Sequence, residues 1–341
     1  MTAGFLVALL LLAPPQTPDE MSDAAQRLAM AKRYEEAAAL WKKALTVDPK
    51  HFPSLFNLGF LYHSTGKLRE AEEALSRAAK IAPDDFNTRY LLGNTLVGLG
   101  KREAGLLEWK AALAIRPQNL KLMQVMAVEY GKGSYFREAC EMSRKAVEAG
   151  AQDLNGYLIA IKYCDDASDA SAMELARQAV EKFPASARAN FEYGFQLKRN
   201  GRTEESISYL KKAMAADPQY EEPFFFYGDL LLKDEKYEEA ARHLQTALRL
   251  RPDYIAACVS LAKALMGLEK SREAVDVLNG CIAKNPKHPQ PYLLLSQVWF
   301  RLGDEEKAAA AKETSLRLRR ENPSIMEGAV SRPFPSAAKR P

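Results

Sequence analysis

Asp165, Asp166 and Asp169 crowd one short stretch of this chain, a grouping whose carboxylate oxygens are suited to a divalent cation. A calcium loop, however, alternates Asp or Asn around a central Gly and closes on Glu, and that order is absent here. The following Ser171-Ala172-Met173-Glu174 has the Ser-x-x-Glu form of a capping box, so a turn feeding a helix start is expected instead. The other candidates for chemistry are scattered. His51, His63, His243 and His288 lie far apart and build no metal or acid-base group. Cys140, Cys164, Cys258 and Cys281 form no Cys-x-x-Cys pair and no Cys/His zinc set, and each is expected to act as a small apolar residue inside a helix. No glycine-rich phosphate loop, Gly-x-Ser-x-Gly elbow or His-Glu-x-x-His motif occurs. No catalytic residue, metal site or cofactor is therefore expected.

The elements that carry these residues are set by proline. Pro49, Pro83, Pro117, Pro184, Pro218, Pro252 and Pro286 are spaced by 34 residues except for one gap of 67, in which one repeat lacks its Pro and has lost a residue. Such a period marks stacked supersecondary units, none of which buries its apolar face alone. With Pro third from the end, repeats begin at Pro18, Phe52, Phe86, Leu120, Leu154, Ala187, Glu221, Ile255 and Pro289 and run from 18 to 322. Their eighth, twentieth and twenty-seventh residues are small, as in Gly59, Ala71 and Ala78 of the second repeat. Two helices of one hairpin and the first helix of the next must therefore approach closely. Large residues at helical spacing, such as Leu55, Leu58, Tyr62, Leu75 and Ile81, fill the space between the crossings. Gly66, Gly100, Gly201 and Gly303 stand between the two helical patterns and are expected to end first helices with positive φ. The periodic Pro stops the second helix. The fourth repeat has Gly150-Ala151 where Pro is expected, and the ninth has Lys312 and Thr314 where other second helices are apolar, as suits a terminal repeat.

This pattern resembles the tetratricopeptide repeat family, through Phe56-Asn57-Leu58-Gly59, Tyr62, Ala71, Leu75, Ala78 and Pro83 and their counterparts in nine repeats. The resemblance implies an all-α, right-handed α-solenoid superhelix of nine helix-turn-helix repeats. It also implies a non-enzymatic scaffold that holds a peptide or partner-protein segment in a concave groove lined by first helices. The alternatives are a structural subunit or assembly factor of an envelope or secretion complex, and a substrate-recognition array serving a separately encoded enzyme. The family places exposed inner-face residues at the second, fifth, ninth and twelfth positions. No Lys-x-x-x-Asn pair of the carboxylate-clamp type stands there, and Asn57 has no ladder of counterparts.

Aromatic residues stand there instead. Phe56, Phe60 and Tyr90, with Asn94, form one expected patch, and Phe191, Phe195 and Phe225 a second, with Gln124 and Lys132 between them. The fifth and ninth positions share a helix face offset from the fourth, eighth and eleventh, which build the core. Lys198, Arg199 and Lys233 beside the second patch are expected to favour acidic flanks on the bound segment.

Lys and Arg number 48 against 44 Asp and Glu, a net charge of +4 that is too slight to make nucleic acid the main partner. The excess collects near the end, where Arg317, Arg319, Arg320, Arg332, Lys339 and Arg340 oppose Glu321 and Glu327, and 323–341 is expected to be a disordered basic tail. Residues 1–17 contain the apolar run Phe5 to Leu12, closed by Ala13, Pro14 and Pro15. The run is short of the roughly 20 residues of a membrane span and precedes the first repeat, so a weak signal peptide is expected, with export to a periplasmic or extracellular space. No basic residue precedes it, and a cytoplasmic location is the alternative.

Overall fold

The computed structural model describes residues 17–151 and 153–323. The expectations for the apolar run and for most of the basic tail fall outside those residues. The described chain is all helix, with no strand among the described residues, and its helices fall into two compact units divided between Ala151 and Gln152. The division follows Gly150-Ala151, where the periodic Pro is missing.

The N-terminal unit contains α1 (Pro18–Met30), α2 (Tyr34–Val47), α3 (Phe52–Ser64), α4 (Leu68–Ile81), α5 (Phe86–Gly98), α6 (Arg102–Ile115), α7 (Leu120–Lys132) and α8 (Phe136–Glu148). The C-terminal unit contains α9 (Leu154–Asp166), α10 (Ser171–Lys182), α11 (Ala187–Arg199), α12 (Thr203–Ala216), α13 (Glu221–Lys233), α14 (Tyr237–Leu250), α15 (Ile255–Gly267), α16 (Ser271–Lys284), α17 (Pro289–Arg301) and α18 (Glu305–Glu321). Each odd-numbered helix begins at the first residue of a repeat read from the sequence. Within each unit, consecutive helices pair as hairpins, and each hairpin packs on the next.

The boundaries have local causes. The residue before each first helix is its cap: Asp85, Asn119, Asp153 and Ser186 accept from the backbone N–H of Thr88, Leu122, Gly156 and Ala189 at 2.7, 2.9, 2.7 and 3.2 Å. Thr17 and Glu20 form a reciprocal capping box at α1. The capping box expected at Ser171 and Glu174 does not form. Asp169 receives both the N–H and the hydroxyl of Ser171, at 2.8 and 2.5 Å, and Glu174 binds Arg177. At the other end of every first helix, the repeat's fifteenth residue takes positive φ. Gly66, Gly100, Gly201 and Gly303 do so at 77 to 80°, and Lys32, Ser134, Ser168, Glu235 and Glu269 do so without glycine at 54 to 62°.

The small-residue positions are where helices cross. Ala25, Ala127 and Ala262 at the eighth position, Ala44, Ala78, Ala112, Ala213 and Ala247 at the twenty-seventh, and Ala160 and Ala179, each one residue earlier in the shortened fifth repeat, are fully buried. At Gly93, a Cβ would lie 2.3 Å from Trp109 Cδ1, so only glycine admits that indole.

None of the four cysteines is the free small apolar residue expected: Cys140, Cys164, Cys258 and Cys281 are all disulfide-bonded. Cys258 and Cys281 are bonded to each other, with Cα atoms 6.5 Å apart, and no free cysteine occurs among the described residues. The fourth position of a repeat faces its own twenty-seventh across the hairpin. A crossing built for small side chains therefore brings two thiols into bonding range.

Candidate functional site

One histidine stands between a serine and a carboxylate. His51 Nδ1 lies 2.8 Å from Ser54 Oγ, and His51 Nε2 lies 2.9 Å from Asp19 Oδ1. Ser54 is fully buried, so no substrate carbonyl reaches its oxygen. The trio ties α1 to the start of α3. The acidic stretch of the fifth repeat is likewise occupied by the fold: Asp165 accepts from Gln196 and Arg199, and Asp166 from Lys162 at 2.6 Å.

In the N-terminal unit, the expected patch is a surface. Phe60 on α3 is 55% exposed, while Phe56, Tyr90 and Asn94 are half-buried. Phe56 stacks on Phe52 at 6.1 Å between centroids, and Tyr90 stacks on Phe86 at 5.9 Å. Both rings are thereby held one turn below the exposed position. Asn94 is oriented from the core: the Trp109 indole N–H, seated against Gly93, donates to Asn94 Oδ1 and to the Tyr90 carbonyl, each at 3.2 Å. With its oxygen so engaged, Asn94 has its amide N–H groups left to donate. His63, on the same face, meets Thr95 Oγ1 at 2.9 Å. The Thr95 hydroxyl donates to the Leu91 carbonyl at 2.8 Å, so His63 Nδ1 carries the proton of that bond. Burial holds the His63 imidazole below its ordinary pKa, in the neutral form.

Across the four repeats of this unit, the fifth, ninth and twelfth positions read Ser22, Gln26, Ala29, Phe56, Phe60, His63, Tyr90, Asn94, Val97, Gln124, Val128 and Gly131. None of these is Lys, Arg, Asp or Glu, but the second positions of the same repeats are Asp19, Pro53, Asn87 and Lys121 and carry one charge of each sign. Met30, 80% exposed at the end of α1, adds to the apolar side and was not legible as a site residue. Lys132, expected to separate two patches, pairs with the buried Glu129 at 3.1 Å, as Arg102 does at 2.8 Å. Burial raises the Glu129 carboxyl, but these two hydrogen bonds outweigh it and hold it below the ordinary carboxylate range.

The second expected patch is closed in the structure. Phe191 is fully buried and meets Tyr220 at 5.3 Å and Phe226 at 5.5 Å; it is core, because α11 turns its fifth position into the cluster shared with α13. Phe195 and Phe225 are half-buried and pack against that cluster, on Phe226 at 5.1 and 4.9 Å. Nor are the three cations free to favour acidic flanks. Lys198 binds Asp229 at 3.0 Å and stands 4.8 Å from the Phe226 ring centre, Lys233 shares Asp229 at 3.7 Å, and Arg199 pairs with Asp165. These pairs tie α9, α11 and α13 into a ladder over the aromatic cluster.

Sequence profiles of the family described as tetratricopeptide repeat match residues 28–95 and 231–280, and 170–221 and 259–323. The chain belongs to the tetratricopeptide repeat family. It is 25% identical over 122 residues to Superkiller protein 3 of Schizosaccharomyces pombe, a match that spans 33% of this chain and only 9% of that protein. Among solved structures it is similar to YrrB, described as a TPR protein with an unusual peptide-binding site, at 22% identity and a TM-score of 0.44, over 55% of this chain and 97% of that one. MamA of Desulfovibrio magneticus RS-1 gives 17% and 0.44 over 49% and 96%, and yeast Tom70 gives 14% and 0.38 over 91% and 94%. All three are similarities of fold alone. Membership of the family supports a protein-protein interaction scaffold, and tetratricopeptide repeat proteins are generally non-enzymatic. Among the described residues, no helix is long and apolar enough to cross a membrane.

Proposed function

We propose that this tetratricopeptide repeat protein is a non-enzymatic scaffold that holds a segment of a partner protein across the first helices of its N-terminal unit. The observation that carries this reading is Phe60. An aromatic ring 55% exposed, beside half-buried Phe56 and Tyr90 and an oriented Asn94 amide, is the kind of anchor that dominates binding energy once a partner covers it. A photo-crosslinking residue at Gln26 or Gln124 should label a partner at α3 and α5, and Phe60→Ser should abolish the adduct with helical content unchanged. Undiminished labelling by the Phe60→Ser protein would sink the reading.

We also propose that the protein is exported. The apolar run Phe5 to Leu12 ahead of the first repeat, and the lack of any free cysteine among the described residues, both support an oxidising compartment. Mass spectrometry of the natively expressed protein should find an N-terminus beyond Ala13. An intact Met1 in a reducing cytosolic fraction would refute export.

A further inference from the structure

We infer that the segment held by the N-terminal unit is bipolar: a basic residue lies over α1, an acidic residue lies over α7, and apolar side chains cover Phe60 between them. This rests on the docking surface proposed above and adds to it the order of charge along the bound segment. Across the second positions, Asp19 stands at one end and Lys121 at the other, and Asp19 is joined one turn on by Asp23 at the sixth position. The second, fifth, sixth and ninth positions of α3 and α5, which lie between, hold no Lys, Arg, Asp or Glu. The side chain of Asp19 is 86% exposed although one oxygen meets His51 Nε2. Asp23 and Lys121 are exposed and form no ion pair among the described residues. Other charges nearby leave this order intact. Glu20 and Arg27 share another side of α1 and offset each other, and Lys32 lies in the turn after α1, at the opposite end of the helix from Asp19. Arg89 binds Glu108 at 2.7 Å and Lys101 binds Glu72 at 2.7 Å, while Arg102 and Lys132 share Glu129 and leave one positive charge on the α7 side. A segment laid across the first helices therefore meets negative potential at one end and positive potential at the other. Laid the opposite way, it meets like charge at both ends, a penalty that fixes orientation and register. Because α1 packs directly on α3, the exposed Phe60 ring favours a cation at that same end. With neighbouring first helices about 10 Å apart, α1 and α7 are about 30 Å from each other, a distance that about nine extended residues span.

A synthetic peptide of about thirteen residues, blocked at both ends, tests this against the full chain. It carries two Lys, a centre of Leu, Gln and Ser, and two Glu, with a photo-crosslinker beside either the Lys pair or the Glu pair. The two versions have the same composition, so only the place of the probe differs. At about 50 mM salt the Lys-end probe should label α1 at least about fivefold more than α7, and the Glu-end probe should do the reverse. Both ratios should fall below about twofold at about 500 mM salt. Lys121→Glu alone, at an exposed position, should remove the Glu-end probe's preference for α7. The triple change Asp19→Asn, Asp23→Lys and Lys121→Glu keeps an acceptor for His51 and reverses the order of charge, so it should exchange the two labelling patterns with helical content unchanged. Equal labelling of α1 and α7 by both probes, lost in Phe60→Ser, leaves docking in place and overturns the order of charge. A Lys-end probe found on α7 in the unaltered protein, or a pattern indifferent to Lys121→Glu, overturns it too. If neither probe labels the N-terminal unit in a Phe60-dependent way, the inference and the docking surface fail together.

Discussion

At the ninth position of its repeat, Phe60 in the N-terminal unit is 55% exposed, whereas Phe195 in the C-terminal unit is half-buried against Phe226 and stands 6.0 Å from the Arg199 guanidinium. At the fifth position, Phe56 is half-buried beside Phe52, whereas Phe191 is fully buried among Tyr220 and Phe226. The same repeat register therefore yields a surface in one unit and a core in the other. The neighbours decide. In the N-terminal unit the adjoining first helices bring Gln26, Asn94 and Gln124, which neither cover a ring nor bind an ion. In the C-terminal unit Tyr220 and, on α13, Phe226 cover Phe191, and Asp229 binds the cations above them.

The sharpest way to break this comparison is to change one phenylalanine in each unit. Phe191→Ser should cost about 3 to 5 kcal/mol by opening a cavity in the cluster, read as lost amide-exchange protection in α11 and α13. Phe60→Ser should shift stability by less than about 0.5 kcal/mol. Equal losses from both would mean that Phe60 is core as well.

The bond between Cys258 and Cys281 is the next largest effect, and it belongs to the C-terminal unit. Cys258 and Cys281 close a loop with a sequence separation of 23, so a protein with both changed to Ala should lose about 3 kcal/mol in denaturant melts. Protection of α15 and α16 should fall while that of α3 and α5 stays unchanged.

The ion-pair ladder comes third. Asp229→Asn should weaken the C-terminal unit by about 1 to 2 kcal/mol at low salt and less at high salt. Asn94→Ala in the N-terminal unit should show no such salt dependence.

The smallest effect is in pH. Burial lowers the pKa of His63, His243 and His288, so each is neutral when folded and takes a proton more readily when unfolded. Stability is complete above the ordinary value of about 6.5 and declines as pH falls through it. His63→Gln should flatten the acid loss of protection in α3 and α5 and leave that of the C-terminal unit, with its own two histidines, unaltered.

The sequence by itself determined the repeat register. Helix starts at Pro18, Phe52 and Phe86, the buried small residues and the left-handed turns at Gly66 and Gly100 all follow from spacing. A helix crossing tolerates no bulk, and a helix end of this type favours glycine. Both rules act within one hairpin and leave their mark at fixed intervals. Only the tertiary structure decided which aromatic rings face solvent, which cations are already paired and which cysteines meet. Phe60 and Phe191 occupy the same helix face in their repeats and differ in what the next repeat lays over them. Asn94 gains its orientation from Trp109 on the second helix of its hairpin, and Cys258 meets Cys281 because two helices cross at 6.5 Å between Cα atoms. Burial, ion pairing and disulfide bonding are relations between residues distant in the chain, and a one-dimensional period carries position but not partner.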